Sequence, residues 1–464
     1  MLRQITTMHE KPGDAAAKAT DPLTGEPTAH AARANEAGMA HIERRHSRWY
    51  EVLLLNTATQ LLLGLLVVVA VPAVLRWGPP VWSYWAPVRA NTMGASALAF
   101  VLALLVLKRL GQFAGGTRLA TIGPVVTGAF LLVFAGVLFG RLAYTRSVLA
   151  MGYGLALVWF YSGHFLGLRH RRLKIAVVPS PRCRGLASAA NIEVRHLTAP
   201  DLAGVRYDAV VADLHSEAMG PEWQRFLAEC ILAKLPVYHV RRMQEAMTGR
   251  VQIDRLSENA VGALLPSPLY AAAKRVLDVA GVLLVAPVVL PVMAVVALAI
   301  RLDSPGPALF VQDRVGQGNR DFRIYKFRSM RTDPQPAGAQ PSETADGDPR
   351  ITRVGRFIRK TRLDELPQLW NVLRGDMSLI GPRPEMREFI DRFYDQIPFY
   401  IYRHVVKPGI TGWAQVSQGA TNSLQEAELK LQYDLYYIKH YSLWLDVLIV
   451  FKTLRVVLTG WGAR

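Results

Sequence analysis

Cysteine is nearly missing from this chain. Its 464 residues hold two, Cys183 and Cys230, with no CxxC or CxxxH spacing near either. That excludes a disulfide framework and a zinc site, and leaves two reduced thiols. Acidic residues are in deficit, 36 against 54 Lys and Arg, which gives a net charge of +18. A dinucleotide fingerprint is also missing. The turn after the first polar-region strand reads PSPRCRG where a GxGxxG loop would be needed. Residues 1–50 contain no apolar run, so they are not a cleavable signal peptide. Polar and rich in Ala, Gly, Pro and Glu, they read as a disordered tail.

What the chain has in quantity is apolar sequence. Hydrophobic residues make up 51% and mean hydropathy is positive. With the basic excess, this suits a membrane protein with basic cytoplasmic surfaces better than a nucleic-acid binder. Four apolar runs, residues 52–75, 92–107, 119–139 and 148–168, have lengths near that of a bilayer core. Arg44, Arg45 and Arg48 precede the first, Lys108, Arg109 and Arg118 flank the second loop, and Arg169, Arg171, Arg172 and Lys174 follow the fourth. The positive-inside rule then puts the tail and everything after residue 168 in the cytoplasm.

The predicted organisation is a membrane α plus α/β protein in four parts. These are a tail (1–50), a four-helix transmembrane bundle (51–170), a Rossmann-like cytoplasmic domain (171–266) and an α/β catalytic domain (267–464). In the third part LKIAVVP, YDAVVADL and PVYHV read as buried strands, with PEWQRFLAECILAKL as a helix between the last two. Lacking the fingerprint, that domain is a degenerate spacer or oligomerisation module. The fourth part opens on a run that is apolar from 276 to 300, interrupted by Pro287 and Pro291, with Lys274 and Arg275 before it and Arg301 after it. A crossing helix is the simplest reading. The central prolines and the bases at both ends favour a re-entrant helix over 274–301, which enters one leaflet and returns.

The segment LDELPQLWNVLRG places Leu366, Leu369, Trp370 and Leu373 on a helical stripe, with Asp364 as a candidate N-cap and Pro367 in the first turn. An Asp-Glu pair at a helix start is most often only a cap. Here cations surround it: Arg359, Lys360 and Arg362 before, Arg383 between two prolines after, Lys326 and Arg328 upstream and Lys407 downstream. Such a cluster suits phosphate groups. A carboxylate within it could hold Mg²⁺ or attack phosphorus.

From Tyr270 to the end the sequence resembles the bacterial sugar transferase domain of monotopic phosphoglycosyl transferases, also called polyprenyl-phosphate hexose-1-phosphate transferases. The resemblance rests on KRVLDV with the broken helix, QDRVGQGNRDFRIYKFRSM, LDELPQLWNVLRGDMSLIGPRP, KPGITGWAQV and YDLYYIKHYSLWLD in the same order. It implies a two-step transfer from a UDP-sugar to undecaprenyl phosphate at the cytoplasmic face of the bacterial inner membrane, beginning exopolysaccharide, capsule or O-antigen synthesis. Asp364 would be the nucleophile that forms an aspartyl-phosphosugar and Glu365 the Mg²⁺ ligand. Arg359 and Arg383 would grip phosphates, with Lys326, Arg328, Gln415 and Asp434 in the same pocket. UDP-glucose is the expected donor, UDP-galactose the next, and a homodimer is an assembly the resemblance allows. The chain departs from the family pattern at Leu290-Pro291, where small members carry Ser-Pro. It departs again at SQGATNS, where glucose-specific members often carry Asn-Gly-x-Arg-Gly-Glu-Thr.

Two other function classes compete. A membrane scaffold or regulator of polysaccharide assembly would tolerate Asp364→Asn. A nucleotide-sugar oxidoreductase or epimerase would need the dinucleotide fingerprint that is missing. Residues 331–350 read as a mobile surface loop, and the C-terminal run from Ser442 as an interfacial helix.

Overall fold

The computed structural model describes residues 56–82, 86–113, 118–170, 173–186, 192–216, 219–252, 265–331, 348–418 and 424–459. The tail, most of the 331–350 loop, most of SQGATNS and Trp461 lie outside the described residues. The chain divides into two compact units, one containing Phe165–Gln244 and the other Ala58–His164 with Glu245–Arg464.

The first unit carries a four-stranded parallel sheet in the order β2-β1-β3-β4. Its strands are β1 (Leu173–Val177), β2 (Ile192–His196), β3 (Ala209–Ala212) and β4 (Val237–His239). Helix α5 (Pro221–Leu232) lies between β3 and β4, and buries Phe226, Leu227 and Cys230 with Val210 and Ala212 of the sheet. Three strands and the helix coincide with the apolar runs read from the sequence. The fourth strand, β2, does not. Its sequence IEVRH leaves no residue fully buried, so it lacks the apolar pattern of the others. PSPRCRG forms a 3₁₀ turn over Pro181–Cys183, capped by the Ser180 hydroxyl and not by a glycine loop. Both cysteines are buried free thiols.

The second unit begins with apolar helices α1 (Thr57–Trp77), α2 (Pro87–Leu110), α3 (Arg118–Phe139) and α4 (Arg146–His170), the last of which continues into the first unit. With α7 (Pro268–Asp303) they make five helices long and apolar enough to cross a membrane by length and composition. Helix α1 contains a π-helical turn, Leu66–Ala70. Small residues let the helices approach: a Cβ on Gly64 would strike the Phe100 ring at 2.1 Å. Helix α6 (Val240–Thr248) leads from the sheet into this unit.

The rest of the unit rests on short elements. They are the antiparallel hairpin β5 (Leu309–Val315) and β6 (Asp321–Phe327), helices α8 (Arg353–Lys360) and α9 (Gln368–Arg374), strand β7 (Ser378–Ile380) and helix α10 (Arg387–Tyr394). Strand β8 (Gly409–Thr411) pairs in parallel with β7, followed by helices α11 (Trp413–Ser417), α12 (Leu424–Lys439) and α13 (Leu443–Thr459).

Helix α7 runs 36 residues with Pro287 and Pro291 inside it. Its two flanks pack and its middle does not. Val282 joins the core of Ile324, Val372 and Met377, while Val296 and Ile300 join that of Phe327 and Ile358. Between them Leu284 is 81% exposed and Val288 71%. Buried Lys274 reaches Asp446 of α13 at 2.5 Å, and Asp446 also accepts from Tyr270 and Tyr437. Arg275 donates to the last carbonyls of α9, on Val372 and Leu373. Helix α13 packs in turn against α2 and α3, with Arg109 over the Trp444 ring at 5.9 Å.

Candidate active site

The Asp-Glu pair sits where three supports converge. Helix α8 is started by Thr352, whose hydroxyl accepts from Gly355 N at 2.9 Å, and by Asp303 at the end of α7, which accepts from Val354 N at 3.1 Å. After Lys360 the chain reverses through Arg362, which has a left-handed backbone (φ +59°). It then makes a single 3₁₀ turn, Leu363–Glu365, before α9. The N-cap expected at Asp364 is not formed. Pro367 occupies the cap position, and the 3₁₀ turn directs both carboxylates inward, so Asp364 Oδ1 is buried without a hydrogen-bond partner. The turn is held by Leu363 and Leu366 in the core around Phe327 and Ile358. Leu369 and Leu373 complete the expected stripe, but Trp370 leaves it and is 55% exposed.

Two further supports bring in the cations. Asn371, fully buried in α9, accepts from Tyr325 N and donates to Arg323 O, and so fixes α9 along the free edge of β6. This sets the height of Lys326, whose Nζ lies 3.5 Å from Glu365 Oε1. The start of the Arg383 loop is fixed by backbone contacts. Gly381 N donates to Thr411 O and Gly409 N to Pro382 O, and a Cβ on Gly409 would lie 2.0 Å from Gly381 N. A Cβ on Gly412 would lie 2.1 Å from Gly381 O, so the three glycines allow contact that other residues forbid. Arg383 Nη2 then donates to Glu365 Oε1 at 2.8 Å.

The pair is split electrostatically. Burial, assisted by the neighbouring Glu365 charge, pushes Asp364 up to about 6 against the pull of Lys326, Arg362 and Arg383. Burial acts on Glu365 in the same sense, but Arg383 and Lys326 outweigh it and hold Glu365 down at about 2. Burial and Arg383 bring Lys326 down to about 8. One carboxylate is therefore fixed as an anion between two cations, and the other is loosely charged, unpartnered and poised. Adjacent carboxyls with values driven apart are a common arrangement for groups with different chemical tasks.

Of the other expected residues, some join the pair and some do not. Lys326 and Arg383 do. Arg359 lies in the last turn of α8, half-buried. Arg328, just past the end of β6, instead donates to Pro305 O, Ser304 O and Ser304 Oγ, and closes the C-terminus of α7. Gln415 donates to Ile410 O, with its Oε1 buried and unpartnered. Asp434 lies under the Arg383 loop, 2.8 Å from Arg403. That loop rests on a charge network absent from the sequence reading. Glu385 lies 2.5 Å from both Arg403 and Lys430 and accepts from Tyr400, and Arg403 also donates to Arg383 O at 3.0 Å. Two carboxylates and two bases balance there. Only the Glu ending GPRPE hinted at it.

A divalent cation fits this donor set. Mg²⁺ is usually held by one or two carboxylates plus substrate phosphates and water, not by an all-protein cage. Among the described residues no group of three or more His, Cys, Asp or Glu could hold a metal. Glu365 Oε1 is engaged by Arg383 and Lys326, leaving its second oxygen and the unpartnered Asp364 Oδ1 as the available ligands.

Residues 269–460 match the sequence profile of the family described as bacterial sugar transferase. Over 422 residues, 91% of this chain and 99% of the relative, the chain is 50% identical to the UDP-N-acetylgalactosamine-undecaprenyl-phosphate N-acetylgalactosaminephosphotransferase of Aeromonas hydrophila. It is also 42% identical over 182 residues to the UDP-glucose:undecaprenyl-phosphate glucose-1-phosphate transferase of Escherichia coli K12, covering 39% of each chain. To the protein of the same description in Caulobacter vibrioides it is 44% identical over 200 residues, 43% of this chain and 74% of that one.

Proposed function

The chain belongs to the bacterial sugar transferase family and is a phosphoglycosyl transferase, and from that premise we propose that it moves a sugar-1-phosphate from a UDP-sugar to undecaprenyl phosphate through Asp364. The observation that carries this reading is the split pair: a buried, unpartnered Asp364 oxygen beside a Glu365 fixed between Arg383 and Lys326. In the first step an ionised Asp364 oxygen attacks the β-phosphorus. The bond from that phosphorus to the bridging oxygen breaks, and the oxygen leaves with UMP. In the second step a phosphate oxygen of the lipid attacks the same phosphorus and releases Asp364, giving undecaprenyl-diphosphate-sugar. One phosphoanhydride replaces another, so positioning and charge stabilisation carry the catalysis. Glu365, through its free oxygen, would hold Mg²⁺, which when bound neutralises diphosphate charge. Arg383 and Lys326 orient the donor phosphates.

For the sugar we place N-acetylgalactosamine ahead of the glucose expected from architecture. The relative named for it is similar along nearly its whole length, whereas the Escherichia coli glucose enzyme matches over 39% of each chain. We further propose that α7 is re-entrant and that the site faces the cytoplasm at the inner membrane, above the bundle α1–α4. Val282 and Val296, on opposite sides of the prolines, join cores built on Ile324 and Phe327 of one strand. Those strand positions are about 10 Å apart. That both helix flanks meet one short strand supports the re-entrant reading.

The test offers purified full-length protein a panel of UDP-sugars with undecaprenyl phosphate and measures UMP release. UDP-N-acetylgalactosamine should lead, and preference for UDP-glucose would reverse the sugar assignment. Without lipid, UDP-sugar should add one sugar-phosphate mass to the peptide holding Asp364. Asp364→Asn should release no UMP, and wild-type turnover by that variant would refute the nucleophile.

A further inference from the structure

Arg314 is a cation near this site to which no carboxylate is directly paired among the described residues. It lies on β5, opposite Phe322 in the hairpin register, with Phe310 opposite Lys326. Directly paired residues share a face, and alternate residues along a strand return to it. Arg314 and Lys326 therefore occupy the same face, the one that Lys326 turns toward Glu365. Among the described residues Arg314 makes no ion pair. Its Nη2 donates to the neutral Gln312 side chain at 2.8 Å, and its Nε is buried with no hydrogen-bond partner.

Its surroundings make that costly. Burial and the nearby Arg383 both act against its charge, enough to bring the guanidinium down to about 10, although Glu385 and Glu365 oppose them. Those carboxylates are already committed, Glu385 to Arg403 and Lys430, Glu365 to Arg383 and Lys326. A partly buried cation with an unused donor and no directly paired carboxylate is stabilised further when an anion arrives.

Position identifies which anion. Lys326 and Arg383 are against the carboxylate pair, so the phosphorus attacked by Asp364 belongs beside them. Arg314 stands about 13 Å further along the hairpin face, counted Cα to Cα over four residues of strand, and a guanidinium spans part of that distance. The next charged group of the donor, away from the sugar, is the α-phosphate. It gains a negative charge as the bridging oxygen departs with it.

We propose that Arg314 binds the α-phosphate of the UDP-sugar and stabilises it as UMP leaves. The assignment rests on the two-step transfer proposed above. It implies that Arg314 serves the first step only, because the lipid attacks an intermediate from which that phosphate has gone.

The experiment compares wild type, Arg314→Ala and Arg314→Lys as full-length protein. It measures UMP affinity by calorimetry, the single-turnover rate of UMP release without lipid, and the KM for undecaprenyl phosphate. Arg314→Ala should weaken UMP binding by about thirtyfold, in the range for charge-assisted bonds to one phosphate, and slow the first step at least as much. Its KM for the lipid should stay within about twofold, and Arg314→Lys, keeping charge but not the fork, should fall between. A raised lipid KM with unchanged UMP affinity would assign Arg314 to the acceptor and overturn the proposal. So would unchanged values throughout in a protein with wild-type melting temperature. If wild type itself released no UMP from any donor, the transfer reading would fail, while the calorimetric arm would still report on Arg314.

Discussion

The raised Asp364 value makes the first chemical step titrate where an ordinary aspartate would not. Attack requires the carboxylate, and burial beside Glu365 puts its midpoint at about 6. The ionised share is then about nine-tenths at pH 7 and about one-tenth at pH 5, so the rate should fall about tenfold between them. An aspartate at its usual value would remain about nine-tenths ionised or more across that range. Turnover with lipid would confuse the measurement, because a phosphate monoester itself titrates near pH 6. The assay is therefore single-turnover UMP release from subsaturating donor without lipid, which reports the free enzyme. Two variants test the cause. Glu365→Gln removes the charge that raises Asp364 and should move the midpoint to lower pH, whatever it does to the absolute rate. Lys326→Met removes a charge that lowers Asp364 and should move it to higher pH. A flat profile from pH 5 to 7, or midpoints moving in the opposite directions, would refute the electrostatic account of the pair.

Two other outcomes follow from parts of the fold outside the pair. Single cysteines at Ala272 and Pro307, both exposed at the ends of α7 and introduced into a background lacking Cys183 and Cys230, should be protected from an impermeant thiol reagent in intact cells. Both should react in inverted vesicles, and labelling of the second alone from outside would mean that the helix crosses. Glu385→Gln leaves Arg403 and Lys430 buried against too little negative charge, and should cost about 3–5 kcal/mol by chemical denaturation. Burial raises the Glu385 value, but Arg403 and Lys430 hold it well below its ordinary 4.5. Its contribution should thus be intact above pH 4.5 and disappear as pH falls below it. A loss under about 1 kcal/mol would show that the network is solvated.

The parts of the molecule legible in the sequence were those written in periodicity or in contiguous motifs. The four apolar runs coincide with α1–α4, and three of the four parallel strands fall within the mainly apolar segments read from the sequence. Asp364, Glu365, Lys326 and Arg383 were legible because cations crowd a carboxylate pair along the chain. Direction was not legible. Arg328 follows Lys326 by two residues and should share its surroundings, yet the strand ends at Phe327 and Arg328 turns back to cap α7. Nor were partners far apart in sequence. Glu385, Arg403 and Lys430 become meaningful only when α12 is folded beneath the GPRP loop, and nothing in local pattern announces that. The misplaced N-cap has a similar origin: an α-helix and a 3₁₀ turn accept the same residues, and packing of Leu363 and Leu366 selected the tighter one.

The glycine contact behind Arg383 has a practical side. Because Gly381, Gly409 and Gly412 touch through backbone atoms, the course of the loop is written in peptide groups that have no alternative rotamers. The three positions thus admit one letter of the alphabet, and a library that varies them would return mostly misfolded protein. Position 383 is the reverse case, a side chain hung from a track it does not lay. Its length, charge and shape can be exchanged one property at a time on an unmoved frame, which makes it the site's most transparent dial for retuning how a phosphate is held.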